Sequence, residues 1–276
     1  MDEISHCHQK KVRVKSSLYT FDEYWTEVEG YLPRMLDSVI LKPGEKERMV
    51  RDIRRFRTSR QRYRQLGLPY HRGYLLYGPP GTGKTSLVSA IAAEFSISIY
   101  AVNLGEFTDR SLMKAMNDVP ANSLVLFEDI DCMKSGKARS APADHLANMP
   151  GKDDKVEAPV QLGVTLSGLL NVLDGFHAPQ NVLFVMTSNV IENLDLALLR
   201  PGRIDYRLYM GPADERQKIE LYRRFFPQAA DAEAELFAAS SSAAETMAEF
   251  QGRLLRMEQE CTELDELIGK GATLSA

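Results

Sequence analysis

Short apolar runs alternate with helical stripes through the middle of this 276-residue chain. Five runs read as strands: "GYLLYG" (73–78), "ISIYAVNL" (97–104), "SLVLFEDI" (123–130), "NVLFVMTSN" (181–189) and "DYRLYMG" (205–211). Between them, "KTSLVSAIAAEF", "TDRSLMKAMNDV" and "LDLALLR" have helix-like spacing. A further helix, "TLSGLLNVLDG", places Leu166, Leu169, Leu170 and Leu173 on one stripe, with Gly175 as a stop. Strands this short and apolar suit a parallel sheet buried on both faces. The pattern predicts an α/β fold, a five-stranded parallel sheet covered by helices.

The flanks are less regular. "KVRVKSSLYTF" alternates like an exposed strand, and "DSVIL" (Asp37 to Leu41) reads as a short extended piece. From Gly44, "EKERMVRDIRRFRTSRQRYRQLG" predicts one helix, with Val50, Ile53, Phe56, Tyr63 and Leu66 on a common face and Gly67 at its end. Residues 132–162 interrupt the alternation with a polar insertion rich in Gly, Pro and Ala. An insertion of this length is either functional or disordered. Beyond Pro227 the chain predicts two or more helices, with Met247, Phe250, Leu254, Leu255 and Met257 on a partly buried face. The expected division is a short N-terminal segment (1–44), an α/β core (45–211) and a C-terminal helical region (212–276).

Charge is nearly balanced overall, 34 basic against 38 acidic residues, so no global attraction to nucleic acid or anionic membrane follows. Its distribution is uneven. Ten basic residues against two acids lie between Lys46 and Arg72, and ten acids against three bases lie from Asp231 onward. The three cysteines are odd in number and far apart, as expected of free thiols in a reducing compartment. No apolar stretch approaches the roughly 20 residues that span a bilayer. The first residues have no apolar signal core. A soluble, cytoplasmic protein with no direct membrane insertion is expected. In "SHCHQKK", Cys7 would point away from His6 and His8 on a strand, so a solvated terminus is preferred to a metal site.

The first strand runs into "GPPGTGKTS", which has the spacing G-x-x-x-x-G-K-T between a strand and a helix. Gly78, Gly81 and Gly83 let the backbone turn tightly and bring its amides onto phosphate oxygens. The helix start near Lys84 adds the positive end of its dipole. Lys84 is expected on the β- and γ-phosphates, and Thr85 on Mg²⁺. The stretch Gly78, Pro79, Pro80, Gly81, Thr82, Gly83, Lys84, Thr85 and Ser86 is thus the expected nucleoside-triphosphate site of a P-loop NTPase.

The third strand brings Glu128, Asp129 and Asp131 to its end, suited beside a P-loop to magnesium and water activation. Asn189 ends the fourth strand as a neutral group able to orient the attacking water. Arg200 and Arg203 flank Pro201-Gly202, so a tight turn presents two guanidiniums. With the P-loop lysine already present, these suggest fingers offered to another subunit's nucleotide.

From about Asp37 to Pro227 the chain resembles the AAA ATPases, with the P-loop, the carboxylates, Asn189 and "ALLRPGR" in family order and spacing. More narrowly, "GLPYHRGYLLYGPPGTGKTS", "LVLFEDID", "VTLSGLLNVLDG" and "LLRPGRID" resemble the AAA chaperone subfamily that inserts the Rieske protein into respiratory complex III, and its bacterial relatives. In that subfamily Glu-Asp replaces the usual Asp-Glu. The resemblance implies Glu128 on the metal side with Thr85, and Asp129 as the water-activating base. A competing register takes Asp129 for the metal and Asp131 for the base, since residues two apart share a strand face. The resemblance also implies a homo-oligomeric ring, hexamer or heptamer, with Arg200 and Arg203 acting in trans, and a helical lid in 212–276.

There are departures. The mitochondrial members carry a transmembrane helix and a further domain ahead of the ATPase, neither of which is read here, so Rieske translocation is not carried over. "NLGEFTDRS" lacks the aromatic-hydrophobic-Gly element of threading unfoldases, and no His-Glu-x-x-His motif is present. The expected function is Mg-dependent ATP hydrolysis by an AAA ring that remodels or chaperones a protein or protein complex. The alternatives are a nucleic-acid motor or loader, motivated by the arginines of 48–72, and an ATP-binding assembly switch with slow hydrolysis. No base-stacking aromatic cluster accompanies those arginines, so nucleic acid ranks below a protein partner.

Overall fold

Each of the five apolar runs forms a strand in the computed structural model, which describes residues 16–133, 163–175 and 178–272, side chains of 261–272 excepted. In chain order the strands and helices begin with β1 (Leu18–Phe21), β2 (Trp25–Glu27), α1 (Glu45–Thr58), α2 (Arg60–Gln65), β3 (His71–Tyr77) and α3 (Lys84–Glu94). They continue with β4 (Ile99–Asn103), α4 (Asp109–Asn117), β5 (Ser123–Glu128), α5 (Leu166–Asp174), β6 (Val182–Ser188) and β7 (Tyr206–Tyr209). Three helices close the chain: α6 (Glu215–Phe225), α7 (Asp231–Ala239) and α8 (Met247–Ala272). The "SHCHQKK" segment and nearly all of the 132–162 insertion lie outside the described residues.

The sheet has seven strands, ordered β2-β1-β4-β5-β6-β3-β7. The five expected strands are parallel; β1 joins them in parallel beside β4, and β2 turns back antiparallel on β1. The two extra strands are too short and too polar for alternation to reveal. Aromatic contacts hold them instead: Tyr19 stacks on Tyr100, and Trp25 meets Tyr100 edge-on while its indole N–H donates to the Ala115 carbonyl. Register decides what emerges at the sheet's C-terminal edge. Tyr77 pairs with Ser188, and Phe127 with Met186. Gly78, Glu128 and Asn189 therefore leave neighbouring strands at nearly the same level.

Both faces of the sheet are covered. One core packs α4 and α5 on the sheet through Leu112, Met116, Leu169 and Leu173. The opposite core packs α1 and α3 through Met49, Ile53, Phe56, Leu87 and Ile91. Burying side chains of this size stabilises by roughly 1.5–3 kcal/mol each. A polar clasp adds to the second face: Asp52 on α1 accepts two bonds from the Arg72 guanidinium, at 2.7 and 2.8 Å, and a third from the Tyr74 hydroxyl. The helices after β7 have a small core of their own around Tyr222, Ala234, Phe250 and Leu254.

Four expectations need correction. The arginine-rich helix is two helices, broken at Ser59, whose hydroxyl turns back to the Arg55 carbonyl. The break resets the helical phase, so Tyr63 still packs against Phe56 and Tyr70 while Leu66 is 60% exposed. "LDLALLR" is a run of turns, not a helix. The Asp195 side chain takes the Ala197 N–H, and Pro201 follows too soon for a regular helix to develop. "DSVIL" opens in a 3₁₀ turn (Leu36–Ser38) before Val39 and Ile40 run extended and buried, outside any strand. Finally, Leu255 is exposed, whereas Phe250 and Leu254 are fully buried.

Candidate nucleotide site

The loop after β3 is shaped by glycine. Gly78, Gly81 and Gly83 have φ of 137°, 78° and 94°. A Cβ on Gly78 would overlap the Met210 carbonyl, so this position excludes every other residue. Thr82 closes the loop by donating to the Pro79 carbonyl at 2.9 Å. Lys84 opens α3 and is buried. Its ammonium donates to the carbonyls of Gly78 (2.7 Å) and Pro79 (3.0 Å) and to Asn189 Oδ1 (2.8 Å). Burial pushes the Lys84 pKa down, with Asp129 and Asp131 opposing it. Incoming phosphate oxygens would favour the charged form for the same reason.

The carboxylates separate into two groups. Glu128 is the last residue of β5, with Oε1 3.4 Å from the Thr85 hydroxyl. Asp129 adopts a left-handed backbone, φ 46° and ψ 54°, costly for a residue with a Cβ and tolerated best by Asn and Asp. Its amide donates to Thr187 Oγ1 at 3.0 Å, and its Oδ1 accepts from Asn189 Nδ2 at 3.2 Å. Asp131 lies in the 3₁₀ turn Ile130–Cys132 and accepts the Asn189 backbone N–H at 3.0 Å. Because the strand ends at Glu128, the alternation that would put Asp129 and Asp131 on one strand face does not apply.

The two arginines differ. Arg203 is tied into its own chain, with Nε and a terminal nitrogen each 2.7 Å from Asp174 Oδ2 and the other terminal nitrogen donating to the Ala197 carbonyl. Arg200 is exposed, and its guanidinium has no hydrogen bond or ion pair among the described residues. Their turn is anchored on β3, where Asp205 and Gly73 exchange backbone and side-chain bonds, and a Cβ on Gly73 would overlap the Arg203 carbonyl. Gly73 lies about 16 Å back along the strand from Gly78, at ~3.3 Å per residue. Lys84, Thr85, Glu128, Asp129 and Asn189 come together; Arg200 and Arg203 do not join them.

Several contacts escaped sequence reasoning. Thr187 fixes the Asp129 amide, and its position two residues before Asn189 on a strand was the available signal. Asp174 ends α5 and holds Arg203. The start of α8 rests on the loop: the Ala248 amide donates to the Gly81 carbonyl at 3.1 Å, and Thr246 and Glu249 cap the helix. The pattern Thr-x-x-Glu was the visible signature of that cap.

Residues 74–212 match the model of the ATPase family associated with various cellular activities (AAA). The chain is 37% identical over 227 residues to the mitochondrial chaperone BCS1 of Danio rerio, covering 80% of this chain and 52% of that protein. It is 41% identical over 211 residues to the Bos taurus protein of the same name, and 40% over 211 residues to that of Homo sapiens. Each of these two matches covers 74% of this chain and 47% of the relative. The chain thus spans about half the length of the curated relatives it matches.

Proposed function

The chain belongs to the AAA family of ATPases, and from that premise we propose that it hydrolyses ATP as one subunit of a homo-oligomeric ring, hexameric or heptameric, that remodels or chaperones a protein or protein complex. The observation that carries this is the meeting of Lys84, Asn189 and Asp129 through two hydrogen bonds at the mouth of the phosphate loop. The names of the relatives, mitochondrial chaperones, support a protein rather than a nucleic acid as the object of the work. A cytoplasmic setting is part of the same proposal. No helix among the described residues is long and apolar enough to cross a membrane.

The residues fit both ATP and magnesium. The loop can offer backbone amides because its glycines adopt conformations closed to other residues, and Lys84 has carbonyl partners it can exchange for phosphate oxygens. Thr85 and Glu128 form an oxygen-only pair, the donor type a hard divalent cation takes. Bound there, Mg²⁺ would neutralise charge on the β- and γ-phosphate oxygens.

In this proposal Asp129 accepts the proton of the attacking water, and Asn189 orients that water while keeping Lys84 in place. The inverted order Glu128-Asp129 is workable because the left-handed backbone at Asp129 brings its carboxylate to Asn189. Asp131 holds the Asn189 backbone and is a positioning residue. Arg200 reaches the nucleotide of the neighbouring subunit, and Arg203, fixed by Asp174, positions the Arg200 turn.

Steady-state turnover with and without Mg²⁺, compared for wild type, Lys84→Ala and Asp129→Asn, tests the proposal. Mg-dependent turnover that Lys84→Ala loses together with ATP binding, and that Asp129→Asn loses alone, is expected. Negligible turnover in an assembled wild type would replace hydrolysis with an ATP-binding switch.

A further inference from the structure

The segment ahead of α1 lies against α3, the helix that starts in the phosphate loop. Tyr31 and Ser89 share a hydrogen bond, hydroxyl to hydroxyl at 2.7 Å, and the Arg34 amide donates to the same Ser89 Oγ at 3.2 Å. The Arg34 side chain then reaches back toward the loop. Its Nε donates to Ser38 Oγ and one terminal nitrogen donates to Ser86 Oγ, each at 3.0 Å. Both side-chain partners are neutral hydroxyls. Arg34 is exposed, and among the described residues no carboxylate pairs with it and its second terminal nitrogen has no partner.

Holding a long cationic side chain in one place costs rotamer entropy, which bonds to neutral hydroxyls offset only weakly. A planar guanidinium fixed in this way, with donors to spare, is preorganised to take an anion. Ser86 points to which one. Leu87 is the first residue of α3 whose amide bonds back, to the Gly83 carbonyl at 2.9 Å, so the Ser86 amide is open to a ligand. A phosphate loop uses such amides on the α- and β-phosphates and its lysine on the β- and γ-phosphates.

Consecutive residues of a helix point about 100° apart. Here Thr85 faces Glu128 while Ser86 faces Arg34. Arg34 therefore stands on the flank of the loop away from the proposed magnesium ligands and base, on the side of the α-phosphate. We propose that Arg34 binds the α-phosphate of ATP, with Ser38 and Ser86 holding its guanidinium in position. This role rests on the nucleotide site proposed above and brings into it a residue from outside the span 74–212 that matches the AAA family.

The test measures direct binding of two probes to the full chain with Mg²⁺, by calorimetry: ADP, and the non-hydrolysable β,γ-imido analogue of ATP. Arg34→Ala should weaken both about tenfold, because both carry an α-phosphate and a charge-assisted bond to it is lost. Ser89→Ala removes the Tyr31 and Arg34 backbone links, loosening the same segment while keeping the cation. It should leave both affinities within about twofold. Thermal unfolding of each variant establishes that it is folded. A loss confined to the ATP analogue would place Arg34 on the γ-phosphate and overturn the assignment. Unchanged affinities in Arg34→Ala, or equal losses in Arg34→Ala and Ser89→Ala, would make Arg34 a strut of its segment and overturn it as well. In either case the wild type would still bind nucleotide and lose it with Lys84→Ala, so the nucleotide site would stand. A wild type that binds neither probe would overturn the site and this role together.

Discussion

Lys84 Nζ donates to Asn189 Oδ1 at 2.8 Å, joining the cation at the start of α3 to the amide at the end of β6 across 105 positions of sequence. The same amide group donates from Nδ2 to Asp129, so Asn189 couples the cation proposed to bind phosphate to the proposed base.

Asn189→Ala removes both links. Turnover should fall by about 100-fold, the scale of losing one preorganised polar group from a reacting centre. The KM for ATP should change by only about threefold, since the loop amides and Lys84 remain. Steady-state kinetics decide it; a raised KM with unchanged kcat would confine Asn189 to ground-state binding.

The three carboxylates should separate by function. Asp129→Asn is expected to cut turnover roughly 10²–10⁴-fold, the range for losing a general base, while ATP still binds. Glu128→Gln should raise the Mg²⁺ concentration needed for half-maximal rate. Asp131→Asn, whose wild-type carboxylate accepts a backbone N–H, should lower the melting temperature and leave turnover within a few-fold, on the order of ordinary positioning losses. A magnesium titration of turnover, run beside thermal unfolding, separates the three.

Arg203 and Arg200 should likewise part. Arg203→Ala removes the bonds to the exposed Asp174 carboxylate and the part-buried bond to the Ala197 carbonyl, and is expected to cost about 1 kcal/mol, seen as a small fall in melting temperature. Arg200→Ala removes an exposed side chain without an ion pair, so unfolding should shift by less than about 0.5 kcal/mol while turnover collapses. Calorimetry and turnover on the same preparations read both.

His71 supplies a pH dependence. It is buried at the start of β3, edge-on to Phe184, with no hydrogen-bond partner for either ring nitrogen among the described residues. Burial holds its pKa below the ordinary 6.5, with Asp205 and Asp174 pulling it partway back. Below 6.5 the unfolded chain takes up a proton that the folded chain resists, so this stability is complete above that pH and lost as pH falls toward the lower folded pKa. Urea unfolding at about pH 7.5 and about pH 5.5 should show a smaller drop for His71→Phe than for wild type.

The sheet's interior was legible in the sequence because its strands are apolar on both faces and bounded by turns, as "SLVLFE" and "NVLFVMTS" are. β1 and β2 were not, since their stability comes from Tyr19 and Trp25 packing on Tyr100, a contact set by residues some 80 positions away. Local chemistry also overrode periodicity at Ser59 and at Asp195, where a side chain competes with the backbone for helix hydrogen bonds. At the candidate site, residue types and spacing pointed to Lys84, Glu128, Asp129 and Asn189, because strand ends in a parallel sheet converge at one edge. The difference between Arg200 and Arg203 lay out of reach: it depends on Asp174, which nothing in the local sequence links to that turn.

In the proposed ring each nucleotide site is completed by a neighbour. The measurement that tests it most directly is ATP turnover per subunit against protein concentration with Mg²⁺, for wild type and Arg200→Ala. Specific activity that rises with concentration in the wild type, and collapses in Arg200→Ala at every concentration, is the predicted result. Activity independent of concentration and indifferent to Arg200 would mean a self-contained site, with no neighbour's arginine in it.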